Sequence, residues 1–410
     1  MSLELIRDIL VATVPLLVIF PTLFAFTTWL ERKALARIQN RVGPNKVGVP
    51  LTRYGGRFSL FGLGQPLADG IKMLFKENIV PRDADRLFHL LAPILALIPA
   101  MLVLCFLPLE FPWTESLLPV QAFLLDGAVI FFFAITGLNT LAIFMAGWAS
   151  HNKYSLLGGM RAIAQMISYE IPLVLSAVVV VMMVGSLNAA EIANAQAGWD
   201  WFVFTPWGLA AFVIFFIASL AETNRSPFDL PEAESEIIAG YFTEYSGFKF
   251  ALFFLGEYIA MFAISGLAVT LFLGGGSGPG VAMNLVEQGL ATERWVTVSA
   301  FPGLAVIWFL VKIFAIIAVM IWLRGTLPRL RVDQLMGFAW KFMLPLSILN
   351  ILVAGFAWHA EELGNIYITV TTYITVTTWV ISLAILYGAA SGLNQLNRGK
   401  VRPREYKYAE

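Results

Sequence analysis

The sequence predicts an all-α polytopic membrane protein of about nine transmembrane helices, with the N-terminus outside and the C-terminus cytoplasmic. Three observations carry that prediction. Hydrophobic residues make up 59% of the 410 and charged residues only 13%. Apolar runs of about twenty residues recur along the chain, each long enough to cross a hydrocarbon core of roughly 30 Å as a helix. Finally, 24 of the 27 Lys and Arg fall in alternate connections and the tail, which puts those segments in the cytoplasm. A β-barrel would show short alternating segments instead. The formal net charge is zero, so bulk charge points to no acidic partner, and nucleic acid is not expected.

The predicted spans run over about 8–31, 85–108, 122–149, 161–186, 206–222, 248–273, 299–323, 338–357 and 367–390. The first is too long for a cleavable signal and leads into a charged continuation. Prolines Pro15, Pro21, Pro93, Pro99, Pro172 and Pro302 fall inside spans, where neighbouring helices can satisfy the backbone groups they free. The fifth span is short. The ninth is weakened by ITVTTYITVTTW, because β-branched residues lower helix propensity. Residues 1–357 read as one eight-helix membrane domain, and 358–410 as an extra helix with a basic cytoplasmic tail.

The first connection exceeds 50 residues and is rich in Gly, Pro and basic side chains. Within it, PLADGIKMLFKEN reads as an amphipathic helix with Leu67, Ile71 and Leu74 on one face. Such a helix suits a membrane interface, or the surface of its own protein. Just before it, in LERKALARIQNRVGPNKVG, Lys33, Arg37 and Arg41 recur every four residues and share a helical face. They anchor the helix end, or, with Glu31 and Arg32, form a polar mouth at the membrane edge.

Chemistry concentrates elsewhere. The connection AETNRSPFDLPEAESEIIAGYFTEYSG carries Glu222, Asp229, Glu232, Glu234, Glu236 and Glu244 against one base, Arg225. Glu232, Glu234 and Glu236 are too close together to titrate independently. The cluster suits proton or ion handling, or a basic partner. Arg225 and Asp229 suit a turn with an internal ion pair. Glu170, Glu257 and Lys312 lie deep in apolar spans, where a charge costs about 2.5–3.5 kcal/mol or more and is usually paired or beside water. Tyr258 is a candidate partner for Glu257. One cysteine, Cys105, cannot hold a cluster or a disulfide. The three histidines, His89, His151 and His359, are far apart and lack metal-site spacing. No metal site is expected, and any redox cofactor belongs to a partner.

These residues admit two readings, a proton-conducting subunit of a membrane redox enzyme or a proton-coupled secondary transporter. Transporters commonly show matching halves; here one half has a long basic connection and the other a short acidic one, which favours the first.

Five ordered motifs, LERKALARIQNRVGPNKVG, GQPLADGIKMLFKE, GGMRAIAQMISYEIP, the acidic connection and IWLRGTLPRLRVDQLMGFAWKFMLPLS, resemble the quinone-pocket membrane subunit (the H subunit) of respiratory complex I, the proton-pumping NADH:quinone oxidoreductase. The resemblance covers about residues 8–355. It implies a subunit of a bacterial inner-membrane translocase with quinone, ubiquinone or menaquinone, as substrate. Iron–sulfur clusters and flavin would sit in partner subunits. Expected partners are the quinone-site and terminal iron–sulfur subunits of the hydrophilic arm, small and antiporter-like membrane subunits, and membrane lipid. Glu31, Arg32, Arg37, Gln65, Asp69 and Lys72 would frame the quinone entrance. Glu170, Glu222, Arg225, Asp229, Glu232, Glu234, Glu236, Glu244, Glu257 and Lys312 would couple reduction to proton movement. Subunits of membrane-bound hydrogenases share the general plan; such a subunit would translocate ions without a quinone.

Overall fold

A computed structural model describes residues 3–47, 49–50, 57–58, 61–104, 107, 125–196, 200–230, 239–278, 304–364, 380, 383–388 and 390–392. Glu232, Glu234 and Glu236, Cys105, most of the ninth predicted span and the basic tail lie outside the described residues. The architecture is helical, with one short antiparallel pairing of β1 (Val49–Pro50) and β2 (Arg57–Phe58).

Helix α1 spans Leu3–Ile38 and α2 spans Gln65–Phe75. Then come α3 (Arg86–Leu104), α4 (Ala128–Thr136), α5 (Leu138–Ala149) and α6 (Lys153–Val184). The chain continues through α7 (Ala189–Ala195), α8 (Pro206–Glu222), α9 (Gly247–Phe272) and α10 (Leu304–Thr326). Helix α11 (Val332–Phe338) runs through a π-helical turn at Ala339–Met343 into α12 (Leu344–Gly364). Among the described residues, six helical stretches are long and apolar enough to cross a membrane: Arg86–Leu104, Ala128–Ala149, Lys153–Val184, Gly247–Phe272, Ala305–Thr326 and Val332–His359. Pro206–Glu222 is a shorter apolar helix.

The core gathers around α6, α8 and α9. Tyr169, Phe215, Phe262, Phe272 and Phe309 are fully buried within one continuous apolar cluster. Helix α9 carries the most burial: every residue from Met261 to Phe272 is buried.

Two local features depart from the predicted spans. Helix α6 begins at Lys153, eight residues before the predicted start at 161, because Asn152 caps it by accepting from the Tyr154 amide at 3.0 Å. Its first turns then pack on the turn Gly240–Phe242. A side chain at Gly158 would come within 2.6 Å of the Gly240 Cα, so only glycine permits this approach. The span predicted at 122–149 is divided at Gly137 into α4 and α5.

Helix α2 has no buried residue, and Leu67, Ile71 and Leu74 are all exposed on it.

Candidate functional site

Four elements converge on Glu31, near the end of α1. Its side chain is almost fully buried. Arg225 Nη1, from the turn after α8, donates to both carboxylate oxygens at 3.2 and 3.1 Å. Tyr258 of α9 donates its hydroxyl to Oε2 at 2.7 Å, and Arg324 of α10 also donates to the carboxylate. The Arg225 guanidinium carbon sits 4.1 Å from the centre of the Tyr258 ring, and Arg225 Nε lies 3.6 Å from Glu257. Two carboxylates and two guanidiniums thus share one site, with Glu31 and Arg225 buried and Glu257 and Arg324 partly exposed, and their formal charges cancel. Burial alone would oppose the Arg225 charge, but Glu31, Tyr258 and Glu257 more than offset it and hold its pKa above the ordinary value.

The helix period separates Glu31 from its neighbour Arg32. Arg32 points outward and meets Asp69 Oδ2 of α2 at 2.5 Å, while Gln65 donates to Asp69 Oδ1 at 3.1 Å. Trp29 Nε1 donates to the Phe61 carbonyl at 3.1 Å, a second tie between α1 and the segment leading into α2. Arg37 and Lys72 are exposed.

The connection after α8 differs from the sequence expectation in its pairing. Arg225 turns to Glu31 and Glu257. Asp229 instead accepts from Arg329 Nη2 at 2.8 Å, and the Leu330 amide donates to the Pro227 carbonyl at 3.2 Å. The ion pairs run between elements, because a short turn cannot bury two charges and also satisfy them. Tyr258 likewise serves Glu31, whereas Glu257, the next residue back on the helix, faces Arg225. Glu244 lies apart, accepting from Asn152 Nδ2 at 2.7 Å. Its backbone carbonyl sits 3.3 Å from Nε2 of His89, whose ring stacks on Tyr245 at 4.1 Å.

Glu222, the last residue of α8, has an oxygen, Oε2, that is buried and has no hydrogen-bond partner. It borders a cavity of about 20 Å³ lined by Pro99, Val103, Thr136, Asn139 and Ala263. That volume suffices for one water, which needs roughly 10–15 Å³. Glu170 of α6 stands near enough for its charge to act on Glu222. Its Oε1 lies against Gly137, where a Cβ would stand 3.4 Å away. Glu222 thus borders a small, mostly apolar cavity, with Thr136 and Asn139 as its other polar side chains and Glu170 nearby on α6.

Lys312 is not brought to this group. It lies at the other end of α9, where Nζ donates to the carbonyls of Leu273 at 2.6 Å, Gly275 at 3.0 Å and Ser277 at 2.6 Å, over the face of Trp201 at 4.2 Å.

Sequence reasoning missed Arg324, counted only as a cytoplasmic anchor, and the true partner of Tyr258. A usable signal existed for Arg324: it closes the apolar run of α10, where a charge at the span edge can fold inward. Among the described residues, no group of three or more His, Cys, Asp or Glu could hold a metal ion.

Residues 11–355 match the model of the NADH dehydrogenase family. The H subunit of NADH-quinone oxidoreductase from Geobacillus kaustophilus is 46% identical over 332 residues, covering 80% of this chain and 88% of that protein. Its namesake from Dehalococcoides mccartyi is 45% identical, covering 80% of each chain. In Koribacter versatilis, the protein named as the second H subunit of NADH-quinone oxidoreductase is 42% identical, with 84% of this chain and 95% of that protein covered. With five motifs in order, a buried charge group built from three of them, and a family match over most of its length, the chain belongs to the NADH dehydrogenase family.

Proposed function

We propose that the chain is the H-type membrane component of a quinone-reducing NADH oxidoreductase of the complex I kind. Its role is to frame the entrance for the quinone substrate and to couple quinone reduction to proton translocation. The observation that carries this reading is the continuity of polar groups. The exposed Arg32–Asp69 pair adjoins the Glu31–Arg225–Arg324–Glu257 group, and Arg225 is three residues from Glu222, whose Oε2 is buried without a hydrogen-bond partner.

Reducing a quinone to its quinol takes up two electrons and two protons. Negative charge developing near the Glu31 group disturbs a balanced set of ions in a low-dielectric space, where Coulomb effects are large. Arg225, a member of that group, is three residues from Glu222, so the disturbance reaches Glu222 and Glu170 as a change in proton affinity. Glu232, Glu234 and Glu236 belong to the same proton-coupling set, and the Asp229–Arg329 pair braces the start of their connection. Glu31, Arg32, Arg37, Gln65, Asp69 and Lys72 frame the entrance, and the apolar face of α2 lies at the membrane interface.

In this reading the chain crosses the bacterial inner membrane about nine times, with its N-terminus outside and its C-terminus in the cytoplasm. The iron–sulfur clusters and flavin reside in partner subunits. The hydrophilic arm docks over the Glu31 end, and small and antiporter-like membrane subunits adjoin the bundle.

The test is Glu222→Gln in the assembled complex. Quinone-linked NADH oxidation should fall at least tenfold while NADH oxidation by an artificial acceptor persists. Normal quinone turnover with normal pumping would reject the coupling role. A purified complex without bound quinone or NADH dehydrogenase activity would instead favour a hydrogenase-type subunit.

A further inference from the structure

Gln165 has no accessible surface and lies in the body of α6, five residues before Glu170. Its side-chain nitrogen is 2.7 Å from the Ala221 carbonyl, 2.7 Å from the Phe228 carbonyl and 3.2 Å from Asn224 Oδ1. Backbone carbonyls only accept, so the amide must present its nitrogen to them. The amide orientation is thereby settled by the partners. The other side-chain atom, Oε1, is buried without a partner.

Those acceptors bracket one turn. Ala221 and Phe228 are seven residues apart, and between them lie Glu222 and Arg225. The turn has its own short bonds, Asn224 N to Ala221 O at 3.2 Å and Phe228 N to Arg225 O at 2.8 Å, and Asn224 is in the left-handed region at φ 49°. Those bonds shape each half. The contact that joins both ends and ties them to another helix is the Gln165 carboxamide. The helix it ties them to carries Glu170.

We propose that Gln165 is a positioning residue, whose carboxamide clamps the Ala221–Phe228 turn to α6 and so fixes Glu222 relative to Glu170 and Arg225 relative to Glu31. The proposal rests on the coupling function assigned above. Glu222 Oε2 has no hydrogen-bond partner, so its placement depends on the backbone that carries it; Arg225 is held at its head by Glu31 and at its base by this turn. Misplacement of about 1 Å at a reacting group can cost roughly 100-fold in rate.

The experiment compares Gln165→Met and Gln165→Glu with the unaltered chain in the purified, assembled complex, with Glu222→Gln in parallel. Methionine keeps the length and removes the donor. Glutamate keeps the shape and sets a carboxylate against two carbonyls; once protonated it donates one hydrogen bond again. Three readouts are taken: amide hydrogen exchange of the Glu222–Phe228 segment, quinone-linked kcat and KM per assembled complex, and artificial-acceptor turnover. We expect exchange in that segment to quicken at least tenfold in Gln165→Met. Quinone-linked kcat should fall about 10- to 100-fold, with KM within about twofold and acceptor turnover unchanged. Gln165→Glu should regain activity relative to the unaltered chain as the pH is lowered. Unchanged exchange overturns the clamp. Faster exchange with undiminished kcat, while Glu222→Gln is inactive, overturns the positioning role. A fully active Glu222→Gln removes the coupling reading and with it the functional half of the proposal, leaving the exchange result to judge the clamp alone. If Gln165→Met does not assemble, Gln165→Glu across pH decides: no regain of activity at low pH overturns the proposal.

Discussion

Helix α9 meets buried charge at two levels, near its middle at Glu257 and at its C-terminal end, and the two are handled in opposite ways. At the Leu273 end, Lys312 has three carbonyl acceptors for three N–H bonds. Beside it, fully buried Gln196 donates to the carbonyls of Ile192, Thr270 and Leu271, and its Oε1 accepts from the Phe202 and Gly274 amides. A cation and an amide together satisfy the carbonyls that a helix C-terminus leaves open. At the Glu257 level, the groups are partnered but not saturated. Glu222 Oε2, Gln165 Oε1 and Arg225 Nη2 are buried with no hydrogen-bond partner. Buried polar atoms cost free energy when left unpaired, so a fold that only needed rigidity would pair them. On the coupling role proposed above, the spare hydrogen-bonding capacity of Glu222 beside its cavity is where a proton or a water would come and go. The two levels are about 24 Å apart along the helix at roughly 1.5 Å per residue, and the α9 residues from Met261 to Phe272 between them are buried and almost wholly apolar.

The largest expected effect is at the unsaturated level. Arg225→Met removes the shared partner of Glu31 and Glu257 and leaves the buried Glu31 carboxylate with Arg324 as its one guanidinium. Breaking a buried ion pair from one side costs about 3–5 kcal/mol. The complex should lose assembly or melt markedly earlier in detergent, followed by native gel after stepwise heating, and whatever assembles should lack quinone turnover. An unchanged melting midpoint would mean that the charge group is not a structural node.

Lys312→Met comes next. It strips three carbonyls of their donor, at roughly 1–3 kcal/mol each, offset in part because a buried ammonium is no longer desolvated. A net loss of about 2 kcal/mol in stability is expected, with quinone turnover per assembled complex unchanged. The reverse result, intact stability with turnover down tenfold, would put Lys312 on the proton path and dissolve the contrast between the two levels. Glu222→Gln is its mirror image. The melting midpoint should stay put, because Oε2 has no donor to lose, while turnover falls.

How far the sequence anticipated this differs between the two levels for a physical reason. Depth is legible: Glu170, Glu257 and Lys312 stand out because charges in apolar runs are costly. The family motifs likewise marked Glu31 and Arg225. Partnership is not legible, because it depends on which helices meet. Glu31 and Arg324 are 293 residues apart in sequence yet share a bond. Tyr258 was paired with its sequence neighbour Glu257, although adjacent helix residues point about 100° apart and its hydroxyl reaches Glu31 instead. Lys312 drew attention by its charge, but only the fold reveals carbonyls waiting for it. Gln165 was passed over because an uncharged amide in an apolar helix raises no alarm until its three acceptors come into view.

The smallest effect belongs to the rim, outside both levels. Arg32 is half exposed and Asp69 a quarter exposed. A solvent-facing pair of this kind contributes about 0.2–1 kcal/mol, so Arg32→Ala should leave assembly and melting within error. If the pair frames the quinone entrance, the loss should appear in substrate affinity: KM for short-tail quinones should rise about two- to fivefold, which corresponds to about 0.4–1 kcal/mol. Because α2 is tied to α1 through Arg32–Asp69 and through Trp29 to Phe61, Asp69→Asn should give a milder KM rise. Asparagine still accepts from Arg32, and loses the charge and the second acceptor that Gln65 uses. A KM change in Asp69→Asn as large as in Arg32→Ala would mean that the charge, not the tie between helices, governs the entrance. Unchanged KM in both would place the route for quinone elsewhere on the bundle.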